Sequence, residues 1–167
     1  MSAKDSVPIV SQRLTLRYFV PEDARRAFLM SQEPGMRAWL PDQVYENETH
    51  ALEVLQYLIT KCEDPGTPLL GPFVLGVCLN DTGELIGHVG LSPLNGETEI
   101  GYAIEESHQR RGLATEAVKA MSEWGLHRFG LAQVLGIAAS ENIASCRVLE
   151  RAGFAFLDES MRSLHGR

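Results

Sequence analysis

Cysteine is scarce. The chain of 167 residues holds three, Cys62, Cys78 and Cys146, widely spaced and with no C-x-x-C pair. That pattern excludes a disulfide framework and a zinc ribbon. The five histidines, His50, His88, His108, His127 and His165, are equally scattered and form no H-E-x-x-H pair, so no metal ligand set is visible. Positive charge is also in short supply. Fifteen Lys+Arg against 22 Asp+Glu leave a formal net charge of −7. This argues against a general nucleic-acid binder, which needs a basic face, and favours encounter with cationic partners such as amines. The longest apolar run, Leu69 to Leu79, is interrupted by Gly71, Pro72 and Gly76 and is too short to cross a bilayer. Residues Met1 to Ser6 carry no apolar signal-peptide core, so the expected location is the cytoplasm. The acceptor tripeptides Asn47-Glu48-Thr49 and Asn80-Asp81-Thr82 are then expected to be unglycosylated. Three phosphate or nucleophile designs are missing too. No two glycines are separated by a single residue, no Gly-Lys pair occurs, and no serine sits at G-x-S-x-G spacing. Dinucleotide folds, P-loops and nucleophile elbows are excluded.

What is present suits one globular domain, residues 1–167, 44% hydrophobic and 22% charged, with enough chain to bury a core. Alternation over Arg13 to Tyr18 predicts a strand. Pro21-Glu22-Asp23 opens a helix with Ala24, Ala27 and Phe28 on one face, and a second runs from about Glu48 to Cys62. A loop of Pro65, Gly66, Pro68, Gly71 and Pro72 ends it. Strands are expected at Phe73–Leu79, Glu84–Leu91 and Thr98–Ile104, joined by turns at Asn80–Gly83 and Ser92–Glu97. A helix from Leu113 to about Phe129, a strand at Gln133–Ala138, a helix at Ser145–Ala152 and a last strand at Phe154–Leu157 follow. The order β-α-α-β-β-β-α-β-α-β predicts a mixed sheet in an α/β (α+β) domain.

The stretch that carries chemistry is Gln109-Arg110-Arg111-Gly112-Leu113-Ala114-Thr115-Glu116, where a loop enters a long amphipathic helix. Glycine there lets the backbone approach a ligand. The first helical turn offers unpaired N–H groups and the positive end of the dipole, together a phosphate site. Arg110 and Arg111 add cationic donors. An ordinary helix start with two solvated arginines has the same sequence signature.

Residues Gln109 to Ala114 resemble the Q/R-x-x-G-x-G/A motif of GNAT N-acetyltransferases. Arg13-Leu14-Thr15-Leu16-Arg17, Glu99 to Ile104, Thr115-Glu116-Ala117, Asn142 to Ser145 and Gly153-Phe154 are similar, in order, to segments of the RimJ/RimL-type branch, which acetylates protein N-termini. The resemblance implies a mixed, mostly antiparallel sheet flanked by about four helices. A V-shaped splay would separate its fourth and fifth strands, here Thr98–Ile104 and Gln133–Ala138. It also implies acetyl-CoA as co-substrate. Gln109, Arg110, Arg111, Gly112, Leu113, Ala114 and Thr115 would surround the pyrophosphate. Backbone groups of Tyr102, Ala103 and Ile104 would pair with pantetheine, and Asn142 would bond the same arm.

Acetyl transfer to an amine needs a neutral nucleophile, a polarised carbonyl and a proton for the thiolate. Glu99 is the expected base, with Glu97 in reserve. The family's usual acidic Tyr is replaced by Leu149, which leaves Ser145 as the expected acid. Cys146 is expected to be a packed helix cysteine rather than a nucleophile. After Phe154 only 13 residues remain, so the family's closing strand is expected to be shortened, with an edge that a second subunit could cover; monomer and homodimer both stay open. The expected acceptor is a protein N-terminal α-amine. The alternatives are a small amine such as a polyamine or aminoglycoside, or a non-catalytic acyl-CoA-binding module. The acidic residues Glu46, Glu48, Glu63 and Asp64 would suit a cationic acceptor. Neither nucleic acid, membrane nor metal is expected as a partner.

Overall fold

In the computed structural model, residues 6–63 and 68–158 are described. Pro65, Gly66 and Asp64, with everything after Asp158, lie outside them. A short strand, β1 (Ile9–Val10), precedes β2 (Leu14–Arg17), in which Leu14 and Leu16 are fully buried while Thr15 and Arg17 are not. Next come α1 (Ala24–Ser31), α2 (Pro34–Trp39) and α3 (Glu48–Glu63). Three long strands follow, β3 (Phe73–Leu79), β4 (Leu85–Leu94) and β5 (Glu97–Ile104). Then come α4 (Leu113–Phe129), β6 (Leu135–Gly136) and α5 (Ile143–Arg151). The six strands form one sheet in chain order, antiparallel except for the parallel pair β5–β6.

Strand alternation divides the core in two. Phe73, Leu75 and Val77 of β3 pack with Val118 and Met121 of α4, whereas Cys78 packs with Phe19, Ala27 and Leu55 beneath α1 and α3. Helix α4 lies close to the sheet because Gly125 has no side chain. A Cβ at that position would run into Leu91. Gly130, at φ 61°, ends the helix in the left-handed conformation that glycine adopts freely.

The sequence reading needs several corrections. β1 and α2 were not expected. The turn between β4 and β5 is tighter than Ser92–Glu97: Asn95 and Gly96, at φ 49° and 81°, make a two-residue hairpin turn, and the flanking strands extend to meet it. The strand expected at Gln133–Ala138 shrinks to Leu135–Gly136. The helix expected from Ser145 starts at Ile143, because the Asn142 side chain accepts the Ser145 N–H and caps it. No strand forms at Phe154–Leu157. Phe154 packs on the core, but Phe156 and Leu157 are 83% and 74% exposed, so nothing rewards an extended pairing there. The tail Ser163 to Arg167 lies outside the described residues.

One polar cluster ties the sheet edge to α4. The Glu116 carboxylate accepts the Ser11 hydroxyl (2.6 Å), the Arg13 backbone N–H (2.8 Å) and Arg13 Nε (2.8 Å). Burial alone would raise its pKa. The bonds from Ser11 and Arg13 outweigh that and hold the carboxyl below its ordinary value.

Two predictions follow from this packing. Met121→Ala, at a fully buried position, should lower unfolding free energy by about 2–5 kcal/mol in denaturant titration. A carboxyl with a depressed folded pKa contributes stability above its unfolded value of about 4.3 and loses it as pH falls through the folded value. Thermal melts should therefore show wild type losing stability faster than Glu116→Gln on acidification below about pH 4.5; parallel curves would refute the linkage.

Candidate active site

β5 loses its outer neighbour halfway along. It pairs with β6 only at Glu99↔Leu135 and Ile100↔Gly136, so beyond Ile100 the sheet opens. On its other side β5 stays paired with β4 up to Gly87↔Ile104. The Ala103 carbonyl lies against Gly87, and the Glu105 N–H donates to the Ile86 carbonyl at 2.7 Å. Alternation then turns the backbone N–H groups of Tyr102 and Ile104 into the opening. The Ile104 carbonyl is already occupied, because Gln109 Nε2 donates to it at 2.8 Å. Gln109 therefore braces the strand end.

The opening leads to the start of α4. Arg110 (φ 65°) and Gly112 (φ 76°) both take the left-handed conformation, and Arg13 Nη1 donates to the Arg111 carbonyl at 2.8 Å. That bond fixes the orientation of the Arg111–Gly112 peptide. Gly112 caps the helix with no side-chain acceptor, so the N–H groups of Leu113, Ala114 and Thr115 have no intrahelical carbonyl to receive them. This is an anion-binding helix start, with the positive end of the dipole behind it.

On the α4 side of the opening stands a hydroxyl pair. Tyr102 Oη lies 2.6 Å from Ser145 Oγ and 3.2 Å from the Ser145 carbonyl. Burial raises the Tyr102 phenol, with the Ser145 bond opposing it. Asn142, Ser145 and Tyr102 are thus brought together at one corner. Cys146 is tied to the Ala139 carbonyl through its thiol at 3.7 Å, and Leu149 is buried.

On the opposite face of β4 and β5 lies a cavity of about 270 Å³. Its floor is His88, Gly90 and Ser92 of β4 with Gly101 and Ala103 of β5; α1, α2 and α3 supply Met30, Met36 and Leu58 above it. A side chain at Gly101 would meet nothing within 4 Å, so the floor is open there. Glu33, Asp42 and Glu105 line the cavity, and among the described residues no lysine or arginine does. Glu105 is bound by Arg26, by Ser107 Oγ (2.8 Å) and by His108 Nδ1 (2.6 Å). Burial raises Glu33 despite the opposing bond from the Glu106 N–H, and the nearby charge of Glu105 adds to the rise. Burial pushes the His88 imidazole down to about 4.

Glu99 lies opposite Ser92 on the cavity face of the sheet, at the closed end where β6 still pairs. It does not line the cavity. Glu97, the reserve base, accepts a hydrogen bond from Gln133 Nε2 at 3.0 Å. Glu48 and Glu63 sit on α3, and neither they nor Glu46 line the cavity. The sequence reading missed His88, Glu33, Glu105 and the bracing role of Arg13. Strand alternation would have put His88 on one face with Gly90, but it could not tell which face is hollow.

A family model described as "Acetyltransferase (GNAT) domain" matches residues 13–155. The Bacillus subtilis protein YnaD, named as an uncharacterised N-acetyltransferase, is 26% identical over 147 residues, covering 87% of this chain and 81% of its own. A solved structure from Vibrio cholerae, provisionally named a ribosomal-protein-serine acetyltransferase, superposes with a TM-score of 0.73 at 23% identity, covering 89% of this chain and 83% of that one. The structure of AAC(6')-Ib in complex with paromomycin and acetyl-CoA gives a TM-score of 0.69 at 19% identity, with 86% and 84% covered. With the match to that model spanning most of its length, the chain belongs to the GNAT acetyltransferase family and is an N-acetyltransferase, an acyl-transferring enzyme.

Proposed function

We propose that the chain, as one acetyltransferase domain, transfers acetyl from acetyl-CoA directly to a primary amine, most favourably a protein N-terminal α-amine. The opening of β5 beside an uncapped helix start is the observation that carries the reading. Residues Arg110 to Thr115 fit a pyrophosphate: backbone N–H groups point outward from the first turn, and Arg13 holds the Arg111 carbonyl away from an anion. Tyr102 and Ile104 offer N–H groups as an edge strand would, and suit the pantetheine arm and the thioester carbonyl. Of the span Tyr102 to Ile104, Ala103 contributes by being small, since its carbonyl is turned toward β4. Asn142 keeps its amide N–H groups for the same arm while its oxygen caps α5. Ser145, bonded to Tyr102, supplies the proton for the departing thiolate.

The cavity receives the amine from the other face. Its acidic lining, Glu33, Asp42 and Glu105, favours a cation. The RimJ/RimL-like motifs and the provisional name of the Vibrio cholerae neighbour support a protein N-terminus. AAC(6')-Ib, solved with paromomycin, supports the small-amine alternative.

Gly112→Glu should abolish acetyl-CoA binding in calorimetry, because the new carboxylate repels phosphate and the backbone at φ 76° strains. Unchanged affinity would overturn the pyrophosphate assignment. Thiol release from acetyl-CoA is expected to accelerate with peptides beginning Ser, Ala, Thr or Met. Acceleration by polyamines or aminoglycosides alone would transfer the activity to small amines.

A further inference from the structure

Acetyl transfer to an ammonium requires a group that receives the amine proton. On β4 and β5, Glu99 and His88 are the residues of the cavity face nearest Gly101 that can accept a proton. Glu99 stands where β6 closes the sheet and outside the cavity lining. His88 stands in the cavity floor directly opposite Ala103. Among the described residues its ring has no hydrogen-bond or ion-pair partner, and burial is the one influence that displaces its pKa.

The floor between His88 and the opening is bare. Only β5 intervenes, one strand spacing of about 4.8 Å, and there it presents Ala103 and Gly101. The space a Gly101 side chain would fill is empty. An amine lying over Gly101 would therefore sit between the imidazole and the N–H groups of Tyr102 and Ile104. Glu33, Asp42 and Glu105 line the same cavity, with Tyr45 and His50. The acidic lining favours an arriving ammonium.

We propose that His88 is the catalytic residue that accepts the proton of the acceptor amine, reaching it across the bare floor of Gly101 and Ala103. The proposal rests on the acetyl-transfer reading of the site. The ammonium loses two protons in all. Its nitrogen lone pair forms the C–N bond, the C–S bond breaks, and its electron pair leaves on sulphur. One proton ends on the thiolate and one in solvent, with His88 as first acceptor from nitrogen and water at the cavity mouth receiving it next. Burial pushes the imidazole down to about 4, so it stands neutral with a lone pair free, and it takes the proton as C–N bond formation makes the nitrogen acidic.

The test compares wild type, His88→Gln, His88→Ala and Glu99→Gln in amine-dependent thiol release, with acetyl-CoA binding measured for each. Both His88 variants should bind acetyl-CoA as wild type does and lose about 100-fold or more in kcat. Added imidazole should restore part of the His88→Ala rate, which a packing role would not produce. A kcat within about threefold of wild type in either His88 variant, or a loss that imidazole leaves untouched, overturns the assignment. So does a collapse confined to Glu99→Gln. Wild type that binds acetyl-CoA but releases no thiol with any amine overturns the reading beneath it instead.

Discussion

An extended backbone needs a hydrogen-bonding partner on each side, and β5 is given one side only beyond Ile100. Leaving such groups buried without partners is costly, and an open strand edge invites another extended chain to pair with it. The fold resolves this in a graded way. The Ile104 carbonyl is bonded by Gln109, the Tyr102 and Ser145 hydroxyls close the corner, and the Tyr102 and Ile104 N–H groups stay available. A sheet whose last strand pairs at only two positions would be a defect in a structural protein. Here the unpaired edge leaves N–H groups at alternate positions, the pattern that another extended, hydrogen-bonding chain would pair with.

The second constraint lies at the start of α4. Two left-handed residues, Arg110 and Gly112, turn the chain into α4, and arginine bears a conformational penalty there that glycine does not. Arg13 makes the turn hold. It spans from the β2 side to the Arg111 carbonyl, while its own Nε and backbone N–H engage Glu116 one turn into the helix. Both ends of the turn are thereby fixed to the same sheet edge. The helix start points at a fixed place relative to the opening, and an anion there would need no rearrangement of the loop.

Much of this was legible in the sequence, and the reasons differ by element. Residues Leu113–Phe129 were found as a helix with both ends correct, because glycines punctuate it and its apolar stripe is wide. Phe73–Leu79 was read correctly because burial on both faces makes a strand a nearly continuous apolar run, broken here only by Gly76. β1 and α2 were missed because two residues and six residues leave too little periodicity to detect. The strand at Phe154–Leu157 was over-read, since two aromatics in a row of small residues look strand-like whether or not a partner exists. For the site, the Gln109 to Thr115 segment was visible as local chemistry. The role of Gln109 as a brace was not, because its acceptor lies in the preceding strand. His88 was invisible for a simpler cause: a lone histidine in a strand carries no signal until the hollow it faces is known.

That hollow is assembled from choices that each weaken the sheet. Glycine inside a strand gives up side-chain packing and backbone order, by roughly 0.5–1 kcal/mol against alanine, and the floor uses it at Gly90 and Gly101. Gly90 has a packing reason, since a Cβ there would crowd Val74 and the Phe73 carbonyl. Gly101 has none; its side of the strand is empty. The half-buried His88 imidazole beside it has no hydrogen-bond partner among the described residues, and burial disfavours its charged form. Glu33, raised by burial and by its acidic neighbours, adds a further strain of the same sign. A stable sheet face would fill the Gly101 space with a β-branched side chain, replace the histidine with an apolar one and keep carboxylates out. Local rules broken together at one place point to a position kept for chemistry rather than for stability.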